Sequence, residues 1–98
     1  MHNGRFIWNE KKHEDNIKKH GVDFFEASTV FEDPNAISDY DFEHSHEHNE
    51  DRFIIIGTSL DSRLLLVCHC FRENGDLVRI ISARKATRTE FKQYGGVR

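Results

Sequence analysis

The single proline of this chain, Pro34, marks a change of hydrophobic period, from helical before it to alternating after it. A proline cannot continue a helix, so the N-terminal helical part ends by about Glu32. Before it, Phe6-Ile7-Trp8 reads as a short strand. Asn9 then caps a helix running to about His20, where Gly21 offers a left-handed stop and Lys18, Lys19 and His20 suit the negative end of the helix dipole. A second helix starts at Asp23, with Glu26 completing an acidic capping box and Val22 stapled to Ala27.

Beyond Pro34 the strands are expected at Ile37–Phe42, Arg52–Thr58, Leu64–Phe71 and Leu77–Ser82. Asn74-Gly75 is a two-residue hairpin signal between the last two, and Asp61-Ser62 marks a similar turn before them. Thr87 and Glu90 form a capping box for a helix over Arg88–Tyr94, stopped by Gly95-Gly96. The predicted class is α+β: an antiparallel meander with two N-terminal helices packed on one face and a short C-terminal helix. At 98 residues the chain is expected to be one domain, residues 1–98, in which any site shares residues with the core or the sheet surface.

The longest apolar run, Leu64 to Cys68, is far too short to span a membrane. MHNGRF lacks the apolar stretch of a signal peptide, so the cytoplasm is the expected compartment. Cys68 and Cys70 lie two apart on one strand, point the same way, and are expected to be reduced; no second pair completes a zinc site.

A net charge of −3 hides an asymmetry. Residues 1–51 carry five Lys/Arg against thirteen Asp/Glu, whereas residues 52–98 carry nine against four. Such a polarised chain can present a basic face to nucleic acid, or its halves can neutralise each other across the fold. Arg79, Arg84, Lys85, Arg88 and Lys92, with Arg52 and Arg63 from neighbouring strands, supply the planar, always-charged donors that phosphate recognition uses. For Arg88 and Lys92, spaced i,i+4, a solvated basic helix face is the commoner explanation.

Metal-free RNA cleavage needs a base for the 2′-hydroxyl proton, an acid for the leaving 5′-oxygen, and cations over the phosphorus between them. Lys12, His20, Glu50, His69, Glu90 and Tyr94 are of the residue types that serve, and spacing alone does not assign them. His69, mid-strand among Leu, Val and Cys, fits either a proton-transfer role or a half-buried histidine bonded to a neighbour. Capping fully explains Glu90. In EHSHEHNED, His44, His46 and His48 alternate among acids; the segment is expected to be a flexible acidic loop, with metal ligation the sharper alternative. Trp8, Phe24, Phe25, Phe31 and Phe91 are expected to cap the helix–sheet core.

Three ordered motifs resemble the BrnT toxins of type II toxin–antitoxin systems. Trp8, Lys12, Asn16, Lys19, His20, Gly21 and Val22 carry the first, Glu50 and Arg52 the second, and Arg79, Ser82, Ala83, Arg84, Ala86, Glu90 and Tyr94 the third. Where the family usually has Asp after the tryptophan, this chain has Asn9, which still caps a helix. The resemblance implies a RelE-like ribonuclease fold, RNA cleavage that stops translation, and a BrnA-type antitoxin whose DNA-binding module lets the complex repress its own promoter. With the convergence of arginines it gives an expected catalytic group of Lys12, Arg52, His69, Arg79, Arg84 and Tyr94, working without metal or cofactor. Arg63, Lys85, Arg88 and Lys92 are expected to contact RNA. The alternative is a non-catalytic module whose basic strands dock an antitoxin segment.

Overall fold

The computed structural model describes residues 4–95. In chain order the elements are β1 (Phe6–Ile7), α1 (Glu10–His20), α2 (Phe24–Thr29), β2 (Ile37–Tyr40), α3 (Phe42–His48), β3 (Phe53–Thr58), β4 (Leu64–Arg72), β5 (Leu77–Lys85) and α4 (Arg88–Gln93), with 3-10 turns at Val30–Glu32 and Glu73–Gly75. Asn9 caps α1 by accepting from the Lys12 N–H, and Gly21 closes it in the left-handed region. Asp23 caps α2 through the Glu26 N–H. At α4 both halves of the Thr87–Glu90 capping box are formed.

The sheet order is β1-β5-β4-β3-β2. Strands β2 to β5 pair antiparallel in succession, but β1 lies parallel to β5 through Phe6↔Val78 and Ile7↔Arg79. The sheet is therefore mixed, which corrects the expected antiparallel meander: three α-helices and three strands separate β1 from its partner, so local pattern carries no sign of the pairing. The β4–β5 connection is longer than a two-residue turn, since Arg72↔Leu77 is the last rung.

Side chains alternate across the strands and define two faces. One carries Ile55, Leu65, Val67, Val78, Ile80 and Ala83 against Val22, Phe24, Ala27 and Val30, and is the core under α1 and α2. Burying a large aliphatic or aromatic side chain there stabilises by roughly 1.5–3 kcal/mol each. The opposite face carries Ile54, Leu66 and Cys68 beneath α3 and α4.

Residues 42–48, expected as a flexible loop, form α3 instead. Asp41 caps it through the His44 N–H at 3.2 Å, and Asn49, at φ 51° and ψ 45°, ends it. Three bonds fasten it to Arg52, just before β3: the Asp41 N–H donates to the Arg52 carbonyl (2.8 Å), the Arg52 N–H to Ser45 Oγ (2.7 Å), and the Ser45 hydroxyl to the Arg52 carbonyl (3.2 Å). Among the described residues no helix is long and apolar enough to cross a membrane.

Candidate functional site

A register shift shapes β5. Cys68 pairs with Ser82 and His69 with Ile80, which leaves Ile81 as an extra residue in a bulge. Strict alternation would put Arg79 and Arg84 on opposite faces. The bulge resets the phase, so Arg79, opposite Cys70, and Arg84, opposite Leu66, both project from the face away from α1 and α2.

On that face lies a cleft of about 370 Å³, with Arg52, Arg84, Ser82, His44, Phe42 and Glu90 among its walls. Arg84 is held end-on by Glu90, Nη1 donating to Oε1 at 2.8 Å and Nη2 to Oε2 at 2.9 Å, and Nη1 also reaches the Lys85 carbonyl. Those three bonds leave the Nε–H and one Nη2 hydrogen, a side-on fork, without a hydrogen-bond partner among the described residues. Arg52 is held the other way. Its Nε–H donates to Glu50 Oε2 at 3.1 Å, leaving the Nη end of the guanidinium as its open fork. Glu50 also receives Arg72 Nη2 at 2.9 Å, so one carboxylate orients two arginines.

Ion pairing sets the charge states. The Arg84 hydrogen bonds hold the Glu90 carboxyl below its ordinary value, and Glu90 in turn raises the guanidinium of Arg84. Burial pushes Glu50 upward, but the bonds from Arg52 and Arg72 outweigh it, and its carboxyl also lies below the usual range. Burial pushes the Cys68 thiol up to about 11, so it is protonated at neutral pH and a poor nucleophile. Cys70, raised by burial as well, is the other free cysteine.

Across the bulge a smaller cleft of about 230 Å³ runs between α1 and β5, lined by Lys12, Lys19 and His20. Ile81 and Ser82 line both clefts, so the two meet over the same stretch of β5. Lys12 thus lies beside the arginine cleft rather than within it. Arg88 and Lys92 stand exposed on α4.

Other expected site residues are held elsewhere. His69 lies on the core face, 2% exposed, edge-on to Phe31 and Phe71 and stacked near Phe53, with Nδ1 3.2 Å from the Val67 carbonyl. Its pairing with Phe53 puts it on the opposite side from Arg84, so the expected grouping of His69 with the arginines is corrected by strand parity. Burial lowers its pKa, which favours the neutral ring. Tyr94 donates to Asp33 Oδ2 at 2.5 Å and lies 3.2 Å from Thr58 Oγ1, tying the end of α4 to β3. Arg63 turns back onto α2, where Nε donates to Glu26 Oε2 at 2.9 Å, a second bond joins Nη2 to Oε1, and Nη2 reaches the Gly21 carbonyl at 3.1 Å. Lys85, opposite Leu65, is on the α1–α2 side.

Sequence reasoning missed Arg72 and the pairing of Asp41 with His44. Arg72 closes a strand next to a turn, where an arginine is unremarkable. Asp41 three residues before His44 is the spacing of an N-cap, a signal obscured by the charge of the segment. On α3, His44 lines the arginine cleft while His46 lines a separate hollow beside Asn49 and Asp51. The described residues bring no three His, Cys, Asp or Glu side chains together as a metal site.

A family model described as "Ribonuclease toxin, BrnT, of type II toxin-antitoxin system" matches residues 8–90. No curated protein matches the chain. Among solved structures, the crystal structure of the Brucella abortus ribonuclease toxin BrnT is similar at a TM-score of 0.66 and 24% identity, covering 88% of this chain and 100% of that one. At that identity the likeness bears on the fold, and it is the match over residues 8–90 that bears on the family.

Proposed function

The chain belongs to the BrnT family of ribonuclease toxins of type II toxin–antitoxin systems, and from that premise we propose that the cleft between α3, α4 and the sheet holds and cleaves an RNA phosphodiester. The observation that carries this is the pair of open guanidinium forks, the Nη end of Arg52 and the Nε side of Arg84, on the walls of one cleft. Each fork matches two phosphate oxygens, and the carboxylates of Glu50 and Glu90 fix the planes so that little side-chain freedom is lost on binding. Positive charge aimed at the non-bridging oxygens stabilises the extra charge of the phosphorane.

The reaction proposed is RelE-like and metal-independent: the 2′-oxygen attacks phosphorus and leaves a 2′,3′-cyclic phosphate. Lys12 and Lys19, across the bulge, contact the next phosphate along the strand. Arg79, Arg88 and Lys92 add long-range attraction. Phe42, 77% exposed at the mouth and edge-on to Tyr40, offers a face on which an unpaired base stacks. Of the other residues assigned to the site from sequence, His69 acts in this scheme through packing, Arg63 through its ion pair with Glu26 and Tyr94 through its hydrogen bonds with Asp33 and Thr58, while Lys85 lies on the α1–α2 side.

Cleavage of messenger RNA then halts translation. A BrnA-type antitoxin neutralises the toxin by covering the same cleft, and carries the complex to operator DNA. The test is cleavage of an end-labelled RNA by the purified protein in chelator, wild type against Arg84→Ala, without and with translating ribosomes. Loss of most of the rate in the variant supports the scheme. Equal rates remove Arg84 from it, and no cleavage in either setting, with antitoxin binding retained, leaves a binding module.

A further inference from the structure

The cleft holds a second paired set of groups besides its arginines. Asp41 Oδ2 lies 2.7 Å from His44 Nδ1, while Asp41 Oδ1 accepts the His44 backbone N–H at 3.2 Å. The Asp41 side chain is 14% exposed and the His44 side chain 53%. The carboxylate is therefore shielded while the far end of the ring stands open. A carboxylate only accepts, so in the neutral ring the proton resides on Nδ1 and the lone pair on Nε2. The hydrogen bonds from Asp41 N–H and the Ser45 hydroxyl to the Arg52 backbone fasten the start of α3 to the residue that carries one of the two guanidinium groups, so base and phosphate clamp are held together on the wall of one cleft.

From this arrangement we propose that His44, held by Asp41, is the general base of the cleavage. Resting on the ribonuclease scheme above, it supplies the proton acceptor that His69, facing the core, cannot. Nε2 takes the proton of the 2′-hydroxyl. The 2′-oxygen bonds to phosphorus, the P–O5′ bond breaks with its electron pair passing to the 5′-oxygen, and that oxygen takes a proton from water. The imidazolium then returns its proton to the hydroxide so formed. Asp41 is a positioning residue: it selects the tautomer and aims the ring. Besides Asp41, which is bonded to the ring, Tyr40, Arg52, Cys68, Arg84 and Glu90 are the titratable and charged groups that line the cleft with His44.

Two measurements on the full chain test the assignment. Nitrogen-15 NMR of the uncomplexed wild-type protein is expected to show His44 in the Nδ1–H tautomer when neutral, and Asp41→Asn is expected to mix the tautomers. An Nε2–H ring in the wild type overturns the proposal without any variant. In steady-state cleavage of an end-labelled single-stranded RNA, free or on ribosomes, His44→Gln is expected to lower kcat by about 10²–10⁴-fold, the usual range for a general base. Its KM should stay within about threefold, since ground-state contacts are kept. Added imidazole is expected to restore part of the rate to His44→Gly. A His44→Gln protein that cuts as fast as wild type overturns this assignment and leaves the arginine scheme standing. A wild type that cuts neither free nor ribosome-bound RNA overturns both.

Discussion

The side-chain amide of Asn16 sits against Ala83 as a neighbouring strand would: Nδ2 donates to the Ala83 carbonyl at 2.9 Å, and the Ala83 N–H donates to Oδ1 at 3.1 Å. The same Nδ2 reaches the Val22 carbonyl at 2.8 Å. Beyond Arg79, β5 has lost β1 as a partner, and the N–H and carbonyl of Ala83, a 1% exposed residue, would lack these bonds without this side chain. One residue of α1 thereby fixes β5 at Ala83, next to Ile81 and Ser82, which line both clefts.

Asn16→Ala removes the side-chain partner of three backbone groups, the Ala83 N–H, the Ala83 carbonyl and the Val22 carbonyl. It is expected to destabilise the protein by about 3 kcal/mol or more, since each orphaned group costs about 1–3 kcal/mol. Chemical denaturation of the two proteins checks it, and Asn16→Leu, branched at the same carbon but apolar, should do no better because the loss lies in the hydrogen bonds.

His69→Phe is expected to keep kcat within a few-fold, because the ring stands among Phe31, Phe53 and Phe71 on the core face. Turnover kinetics check this, and a loss of 100-fold or more, the scale of a general acid or base, would put proton transfer back at His69.

Glu26 gives a pH signature in stability. Arg63 and the Ser59 hydroxyl, which donates at 2.7 Å, hold its carboxyl below the ordinary 4.5, against the upward push of burial. A depressed folded-state pKa means that its contribution is complete above about 4.5 and fades as pH falls through the lower folded value. Glu26→Gln should therefore lower Tm at neutral pH and narrow its gap to wild type below pH 4, as thermal melts across pH 3–7 would show.

Phe42→Ala is expected to raise KM for single-stranded RNA with kcat little changed. Base stacking on an aromatic side chain contributes about 1–3 kcal/mol. The exposed ring has little packing to lose, so the melting temperature should barely move.

The parts of this fold written in local chemistry were legible in the sequence. Asn9 and Gly21 bound α1, Asp23 opens α2, and Thr87 with Glu90 opens α4, each by a side chain bonding a backbone group a few residues away. Pairings between distant segments were not. The parallel join of β1 to β5 and the bulge at Ile81 depend on tertiary contact, and parity alone sends Arg79 and Arg84 to opposite faces. Composition misled over residues 42–48, where the density of His and Glu hid a cap at Asp41 and a stop at Asn49. Of the site, Arg52 and Arg84 were legible as cations on paired strands. Glu50 and Glu90 were legible as proton-transfer candidates, and Glu90 as a cap; that they orient the arginines, and that His69 is buried, emerges only in the folded chain.

The most direct test of two arginine forks on one phosphate is a double-mutant cycle on RNA cleavage, with Arg52→Ala, Arg84→Ala and the double variant compared with wild type by kcat/KM. If both guanidinium groups grip the scissile phosphate, each single variant loses about 100-fold or more, and the double loses far less than the product of the two, since residues acting as a unit are non-additive. Single variants within a few-fold of wild type, or losses that simply multiply, would contradict a shared phosphate site.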